Sequence, residues 1–190
     1  MIIGILALQG AFIEHKYKLD QLNIKSFYIR NLDDLTKDKD GIIIPGGEST
    51  AMYKLLVDLH MDEQLKMQIN HGLPVFGTCA GLILLAKRIT NQAHSFLDVM
   101  DISVTRNGYG RQLSSFLTQG LFNNKSIPMT FIRAPYIDSV GKHVTVLSIV
   151  DQKIVAARQN HILVTAFHPE LTDSLTVHKY FLSMIKSYKK

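Results

Sequence analysis

A single cysteine, Cys79, stands in the 190 residues. No disulfide can form within the chain, and a lone thiol predicts a reducing compartment. Long hydrophobic runs are missing too, with nothing approaching the roughly 18 apolar residues of a membrane-crossing helix. The apolar start, Met1 to Ala11, has no Lys or Arg ahead of it and passes directly into a polar amphipathic segment, so it reads as a first strand and not as a signal peptide. The expected location is cytoplasmic, with no membrane partner. A G-x-x-x-x-G-K-S/T loop is absent, which leaves a nucleoside-triphosphate cradle unsupported. The histidines other than His168, among them His15, His71 and His161, form no ligand spacing with Cys79 or with one another. Neither a metal nor another cofactor is expected.

Charge of one sign is scarce in any one place. Lys plus Arg number 21 against 16 Asp plus Glu, a formal net charge of +5, but the excess is spread along the chain. Its densest cluster, Lys186, Lys189 and Lys190, suits a solvated helix end beside a favourable dipole. No recognition motif accompanies it, so nucleic acid is not an expected partner. With 46% hydrophobic and 19% charged residues, the composition is that of a globular chain with its own core. The length suits a single domain over residues 1–190.

What is present is an alternation of strand-like and helix-like segments. Met1 to Leu8 is nearly unbroken apolar sequence, as in a strand covered on both faces. A helix is expected over Phe12 to Leu22, a strand over Ile24 to Ile29, and a third strand over Gly41 to Ile44 after the polar stretch Asn31 to Asp40. The glycine-rich turn Pro45 to Ser49 leads into a helix over Ala51 to Leu59. Pro74 to Phe76 reads as a fourth strand and Gly81 to Lys87 as the helix behind it. Such alternation predicts an α/β fold, a three-layer open and mostly parallel sheet with helices on both faces. From Val99 the pattern turns strand-rich, with Ile102 to Thr105, Met129 to Ile132, His143 to Val150, Lys153 to Ala157 and Ile162 to Phe167, which predicts antiparallel additions. A last helix carries Val177, Tyr180, Phe181, Met184, Ile185 and Tyr188 at spacings of three, four and seven, a core-facing stripe.

Ligands of such sheets lie at the carboxyl ends of the strands. Three segments there can carry chemistry. Gly77-Thr78-Cys79-Ala80-Gly81, between an apolar strand and an apolar helix, has the setting of a nucleophile elbow with Cys in place of Ser. At a helix N-terminus the dipole and free amides favour the thiolate. His168-Pro169-Glu170 follows the strand-like run Ile162 to Phe167. Pro169 biases His168 toward extended backbone, so His168 and Glu170 point to one side and can form a base with its orienter. Pro45-Gly46-Gly47-Glu48-Ser49-Thr50 offers glycine amides to an oxyanion or a phosphate, and Ser49 or Thr50 can cap the helix.

Together these pieces resemble the class I, triad-type glutamine amidotransferases, which have a flavodoxin-like fold, and among them the glutaminase subunits of pyridoxal 5'-phosphate synthase. The resemblance covers nearly the whole chain through Leu8-Gln9-Gly10-Ala11, Glu14-His15, Pro45 to Thr50, Phe76 to Leu82, Arg106-Asn107, Gly110-Arg111-Gln112, Phe131 to Pro135 and Phe167 to Leu171. It implies that Cys79 attacks the side-chain amide of L-glutamine to form a glutamyl thioester, with His168 as base and acid and Glu170 as its orienter. The amides of Gly47 and Ala80 would form the oxyanion hole. Gly47, Glu48, Ser49, Arg106, Ile132 and Arg133 would hold the glutamine, an Arg gripping its α-carboxylate. Ammonia would pass to a pyridoxal 5'-phosphate synthase subunit serving vitamin B6 biosynthesis, docked near Gln9, Gly10 and the Gly46-Gly47 turn, and activity would be low until it docks. The chain departs from the usual pattern at Gly108 and Tyr109, where Ser-Phe is common, at Tyr136, where His is common, and at Ser114, where an acidic residue is frequent. Two other readings use the same residues: the glutaminase subunit of a different synthase, and a non-catalytic α/β module that holds an anion.

Overall fold

A computed structural model describes residues 1–108 and 115–188. Tyr109, Gly110, Arg111, Gln112, Ser114, Lys189 and Lys190 from the sequence analysis therefore lie outside the described residues. The first half alternates as expected: β1 (Ile2–Leu6), α1 (Phe12–Gln21), β2 (Lys25–Ile29), α2 (Leu32–Thr36), β3 (Gly41–Ile44), α3 (Ser49–Asp58), α4 (Asp62–Asn70), β4 (Val75–Thr78) and α5 (Ala80–Leu85). The second half is strand-rich, with β5 (Ala86–Ile89), β6 (Met100–Thr105), β7 (Ser115–Phe122), β8 (Lys125–Ile132), β9 (Tyr136–Val140), β10 (Thr145–Val150), β11 (Lys153–Gln159) and β12 (Ile162–Thr165). A single 3-10 turn, Pro169–Leu171, precedes α6 (Thr176–Tyr188).

The main sheet runs β2-β1-β3-β4-β12-β11-β9-β6-β5, with β10 paired to β11. Its first five strands are parallel, and β11, β9 and β6 continue it antiparallel. Successive residues of a strand face opposite sides, and β4 shows what covers each. Phe76 stacks edge-on against His15 of α1 and His178 of α6, whereas Gly77 lies under Gly81 and Leu85 of α5. One helical layer thus holds α1 and α6, and the other holds α5. The β7–β8 hairpin stands apart as a two-stranded sheet, turning at Asn123 and Asn124, both at positive φ. Asparagine tolerates that conformation well.

Several expected boundaries move. The helix after β4 stops at Leu85 rather than Lys87, and Ala86 to Ile89 becomes a strand parallel to β6. The run Leu82 to Ala86 is apolar on every side and all of it is buried, so no periodicity marks where the helix ends. Helix α3 begins at Ser49, not Ala51, because the Glu48 carboxylate, rather than Ser49 or Thr50, caps it by accepting from the amides of Thr50 and Ala51 at 3.0 and 2.7 Å. The polar stretch after Asn31 contains α2, capped by the Asn31 side chain. Helix α4 and strands β7 and β9 are not anticipated by the sequence pattern. Most residues of both strands are exposed or only partly buried, and neither strand has a continuous apolar signal.

Helix α5 can sit close over β4 and β3 because Gly77 and Gly81 face each other. A Cβ on Gly81 would come within 2.2 Å of the Ile44 carbonyl oxygen, a contact with rigid backbone. Gly81→Ala is expected to lose about 1–3 kcal/mol by overpacking, read as a lower urea midpoint.

Candidate active site

Four neighbouring parallel strands deliver the site. Strand β4 ends at Cys79, β12 leads through Phe167 to His168, β3 opens into Gly46-Gly47, and β1 opens into Gln9-Gly10. Cys79 occupies the elbow between β4 and α5 with φ 48° and ψ −96°, a strained backbone for a residue with a side chain. Its amide donates to the Thr165 carbonyl at 2.8 Å, so β12 holds the elbow in place. The Cys79 thiol lies 3.9 Å from the Ile132 carbonyl and also has the His168 ring as a hydrogen-bond and charge partner. The sulfur and the imidazole are together.

His168 is fixed from three directions. Its amide donates to the Thr130 carbonyl of β8 at 2.8 Å, its Nδ1 lies 2.7 Å from Oε1 of Glu170, and its ring rests on Gly46, where an added Cβ would stand 2.3 Å from Cε1. Burial opposes a charged ring, but hydrogen bonds to Cys79 and Glu170, together with their charges, outweigh it and raise the His168 pKa to about 10. The ring is thus held as a cation with Nδ1–H donated to the carboxylate.

The glycine turn is tied down by its neighbours. Ala11 donates its amide to the Gly46 carbonyl at 3.0 Å, and the Glu48 amide donates to the Gln9 side-chain oxygen at 3.0 Å. Gly10, at φ +92°, passes so near that a Cβ there would meet the Gly46 oxygen at 1.9 Å. Gly46, Gly47, Glu48, Ser49, Arg106, Ile132 and Arg133 line one pocket of about 640 Å³ with Cys79 and His168, as does Gly10. Ala80 is buried directly behind Cys79, and Glu170 behind His168. Arg106 reaches Oε1 of Glu48 at 3.2 Å and Oγ1 of Thr50 at 3.4 Å, forming an ion pair on the pocket wall. Desolvation would raise the Glu48 pKa, but the helix-cap amides, Thr50 and Arg106 hold it below the usual carboxylate value. Among the described residues no cluster of His, Cys, Asp and Glu is arranged to hold a metal.

Sequence spacing missed the residues behind the pocket. His15 is fully buried, with Nδ1 3.0 Å from Nε2 of His178 and Nε2 3.5 Å from Oε2 of Glu170. The signal available was a histidine on the inward stripe of α1 shared with Leu19. Glu14, Asn107 and Leu171 also line the pocket. Two of the departures noted above touch each other: a Cβ on Gly108 would lie 2.0 Å from Cδ1 of Tyr136. The larger ring at 136 takes the space a side chain at 108 would need.

A doubly wound sheet with a cysteine elbow, an imidazole–carboxylate pair and a glycine turn defines a thiol hydrolase of the amidotransferase type. Residues 5–187 match the SNO glutamine amidotransferase family, and the chain belongs to that family. It is 56% identical over 190 residues to the pyridoxal 5'-phosphate synthase subunit PdxT of Haemophilus influenzae strain PittGG, covering 98% of this chain and 99% of that protein. PdxT of Streptococcus pneumoniae strain CGSP14 is likewise 56% identical, over 194 residues and the full length of both. A solved glutamine amidotransferase superposes with a TM-score of 0.92 at 38% identity, covering 98% of this chain and all of that one. A glutamine amidotransferase from Thermotoga maritima shares the fold at a TM-score of 0.60 and 14% identity, covering 99% of this chain and 84% of that one. The fold is the flavodoxin-like fold of class I glutamine amidotransferases.

Two outcomes are expected. Burial, and then the Lys18 charge, lower the His178 pKa to about 3, so His178 is neutral when folded but takes a proton below its ordinary value of 6.5 when unfolded. Its contribution to stability is complete above 6.5 and is lost as pH falls toward 3. Urea unfolding at a series of pH values should therefore show a shallower acid decline for His178→Phe than for the unaltered chain. In a double-mutant cycle, Gly108→Ser alone should destabilise by about 1–3 kcal/mol, and should do so less when Tyr136→His is already present.

Proposed function

We propose that this protein, as a single domain over its whole length, hydrolyses glutamine to glutamate and ammonia and passes the ammonia to a pyridoxal 5'-phosphate synthase subunit. The observation that carries the reading is the thiol of Cys79 beside an imidazole that is itself hydrogen-bonded to the buried carboxylate of Glu170. The full-length identity to PdxT proteins supports the choice of partner.

In the first half-reaction the proton of Cys79 resides on His168, and the sulfur attacks the side-chain amide carbon of glutamine. The amides of Gly47 and Ala80 stabilise the resulting oxyanion. His168 returns its proton to the departing nitrogen, releasing ammonia and leaving a glutamyl thioester. Water, deprotonated by His168, then attacks the thioester, and glutamate leaves with Cys79 restored. Glu170 keeps Nδ1 of His168 protonated throughout. Arg106 or Arg133 grips the α-carboxylate, and Glu48, Ser49 and Ile132 complete the wall.

The partner docks near Gln9 and Gly10. Their segment touches the glycine turn through Ala11 to Gly46 and Gln9 to Glu48, so contact there is transmitted to the oxyanion loop. Cytoplasmic location fits a nucleophile that must stay reduced.

Glutaminase assays with and without the synthase subunit test the reading. Turnover should rise when the synthase is added. Cys79→Ala and His168→Ala should each lose about 10⁶-fold in kcat and Glu170→Ala about 10⁴-fold, by analogy with a serine triad. Undiminished turnover by Cys79→Ala ends the proposal.

A further inference from the structure

Behind the triad, away from the pocket, lies a buried polar chain that the hydrolytic steps above do not use. His15 on α1 and His178 on α6 are fully buried. His15 Nδ1 lies 3.0 Å from His178 Nε2, while His15 Nε2 lies 3.2 Å from Oγ1 of Thr78 and 3.5 Å from Oε2 of Glu170. Oε1 of Glu170 is engaged by His168, whereas Oε2 is buried with no hydrogen-bond partner in the resting geometry. A bare oxygen on a buried carboxylate is costly, and His15 Nε2, hydrogen-bonded here to Thr78 Oγ1, stands 3.5 Å from it.

We propose that His15 is a positioning residue for the triad: its Nε2–H faces Oε2 of Glu170 and keeps the carboxylate turned so that Oε1 holds His168. The inference rests on the reading of His168 as the base for Cys79. An ionised carboxylate repels a lone pair, so the hydrogen of a neutral His15 belongs on Nε2. Nδ1 must then accept, and His178 Nε2–H is its donor. Around His15 stand Thr78 from β4, His178 from α6, and Glu170 and His168 from the turn after β12. Lys18, on the same helix as His15, donates its ammonium to the Thr172 carbonyl. Burial, then the neighbouring His178 and His168, drive the His15 pKa well below its ordinary value, opposite to the shift of His168. Glu170 therefore serves one cation and one neutral donor, which avoids two imidazolium charges on a single buried carboxylate.

The test compares the unaltered chain, His15→Phe, His15→Gln, Glu170→Gln and the His15→Phe/Glu170→Gln double variant, each with the synthase subunit. His15→Phe should lower kcat about tenfold with KM for glutamine nearly unchanged. His15→Gln, whose amide nitrogen can replace Nε2, should recover most of that loss. In the Glu170→Gln background His15→Phe should cost nothing further, whereas an equal loss in both backgrounds would mark a merely structural side chain and overturn the role. Alkylation of Cys79 by iodoacetamide, followed by intact mass, repeats the comparison without glutamine. An unaltered chain that alkylates readily but leaves glutamine intact overturns the proposed function alone. His15→Phe that alkylates as fast as the unaltered chain overturns the role of His15 alone. Should His15→Phe not fold, His178→Phe, which frees the tautomer of His15 without touching Glu170, should show a smaller loss that also vanishes in the Glu170→Gln background. Its persistence there would overturn the inference equally.

Discussion

The parallel register of β4 against β12 is the constraint on which the site depends. Thr78 pairs with Thr165, and Val75 with Ile162, so both strands end level at one edge of the sheet. The chain leaves the first into Cys79 and the second toward His168. The amide of Cys79 closes the register by donating to Thr165. Parallel neighbours cannot be joined by a tight turn, so Cys79 and His168, each just beyond the end of one strand, come from distant parts of the sequence. Phe76 of β4 packs against Phe181 of α6, and both rings are fully buried over this part of the sheet. Truncating a buried phenylalanine of this kind removes about 3–5 kcal/mol, a large share of the stability of any domain.

Electrostatics then sort the protons around one carboxylate. Glu170 and the imidazoles of His168 and His15 are all buried, where a second cation would be poorly compensated. The protein charges only the ring that faces the thiol. His168 is raised by its two partners, whereas His15 and His178 are lowered chiefly by burial. Opposed shifts on two groups that share a neighbour let one buried carboxylate face a charged ring and a neutral one.

Much of this was legible in the sequence, and the boundary between what was and was not has physical causes. The apolar runs of β1, β3 and β4 and the stripe on α6 are strong signals because both faces of the sheet are covered. The elbow glycines and the closeness of His168 to Glu170 are legible because both are local, although Pro169–Leu171 is a 3-10 turn and not the extended backbone that the sequence predicts. The partnership of His15 with Glu170 is not local; it exists only once α1 and the turn after β12 are packed together, and no spacing rule reaches across that distance. Glu48 as the cap of α3 was hidden for another reason. Ser49 and Thr50 are both good capping types, but the helix starts at Ser49 and Glu48 stands at the cap, its Oε1 shared between the Thr50 amide and Arg106.

The close backbone approaches of the site are next to one another. Cys79 holds positive φ, Gly46 lies flat under the His168 ring, and Gly10 presses its backbone against the Gly46 carbonyl. The Gly10 contact is with rigid backbone, whereas the Gly46 contact is with the His168 ring. The Gln9-Gly10 segment therefore meets the Gly46-Gly47 turn both through backbone, at Gly10 and Ala11, and through the Gln9 side chain. Two hydrogen bonds, from Ala11 and to Gln9, set how strongly the two segments move together.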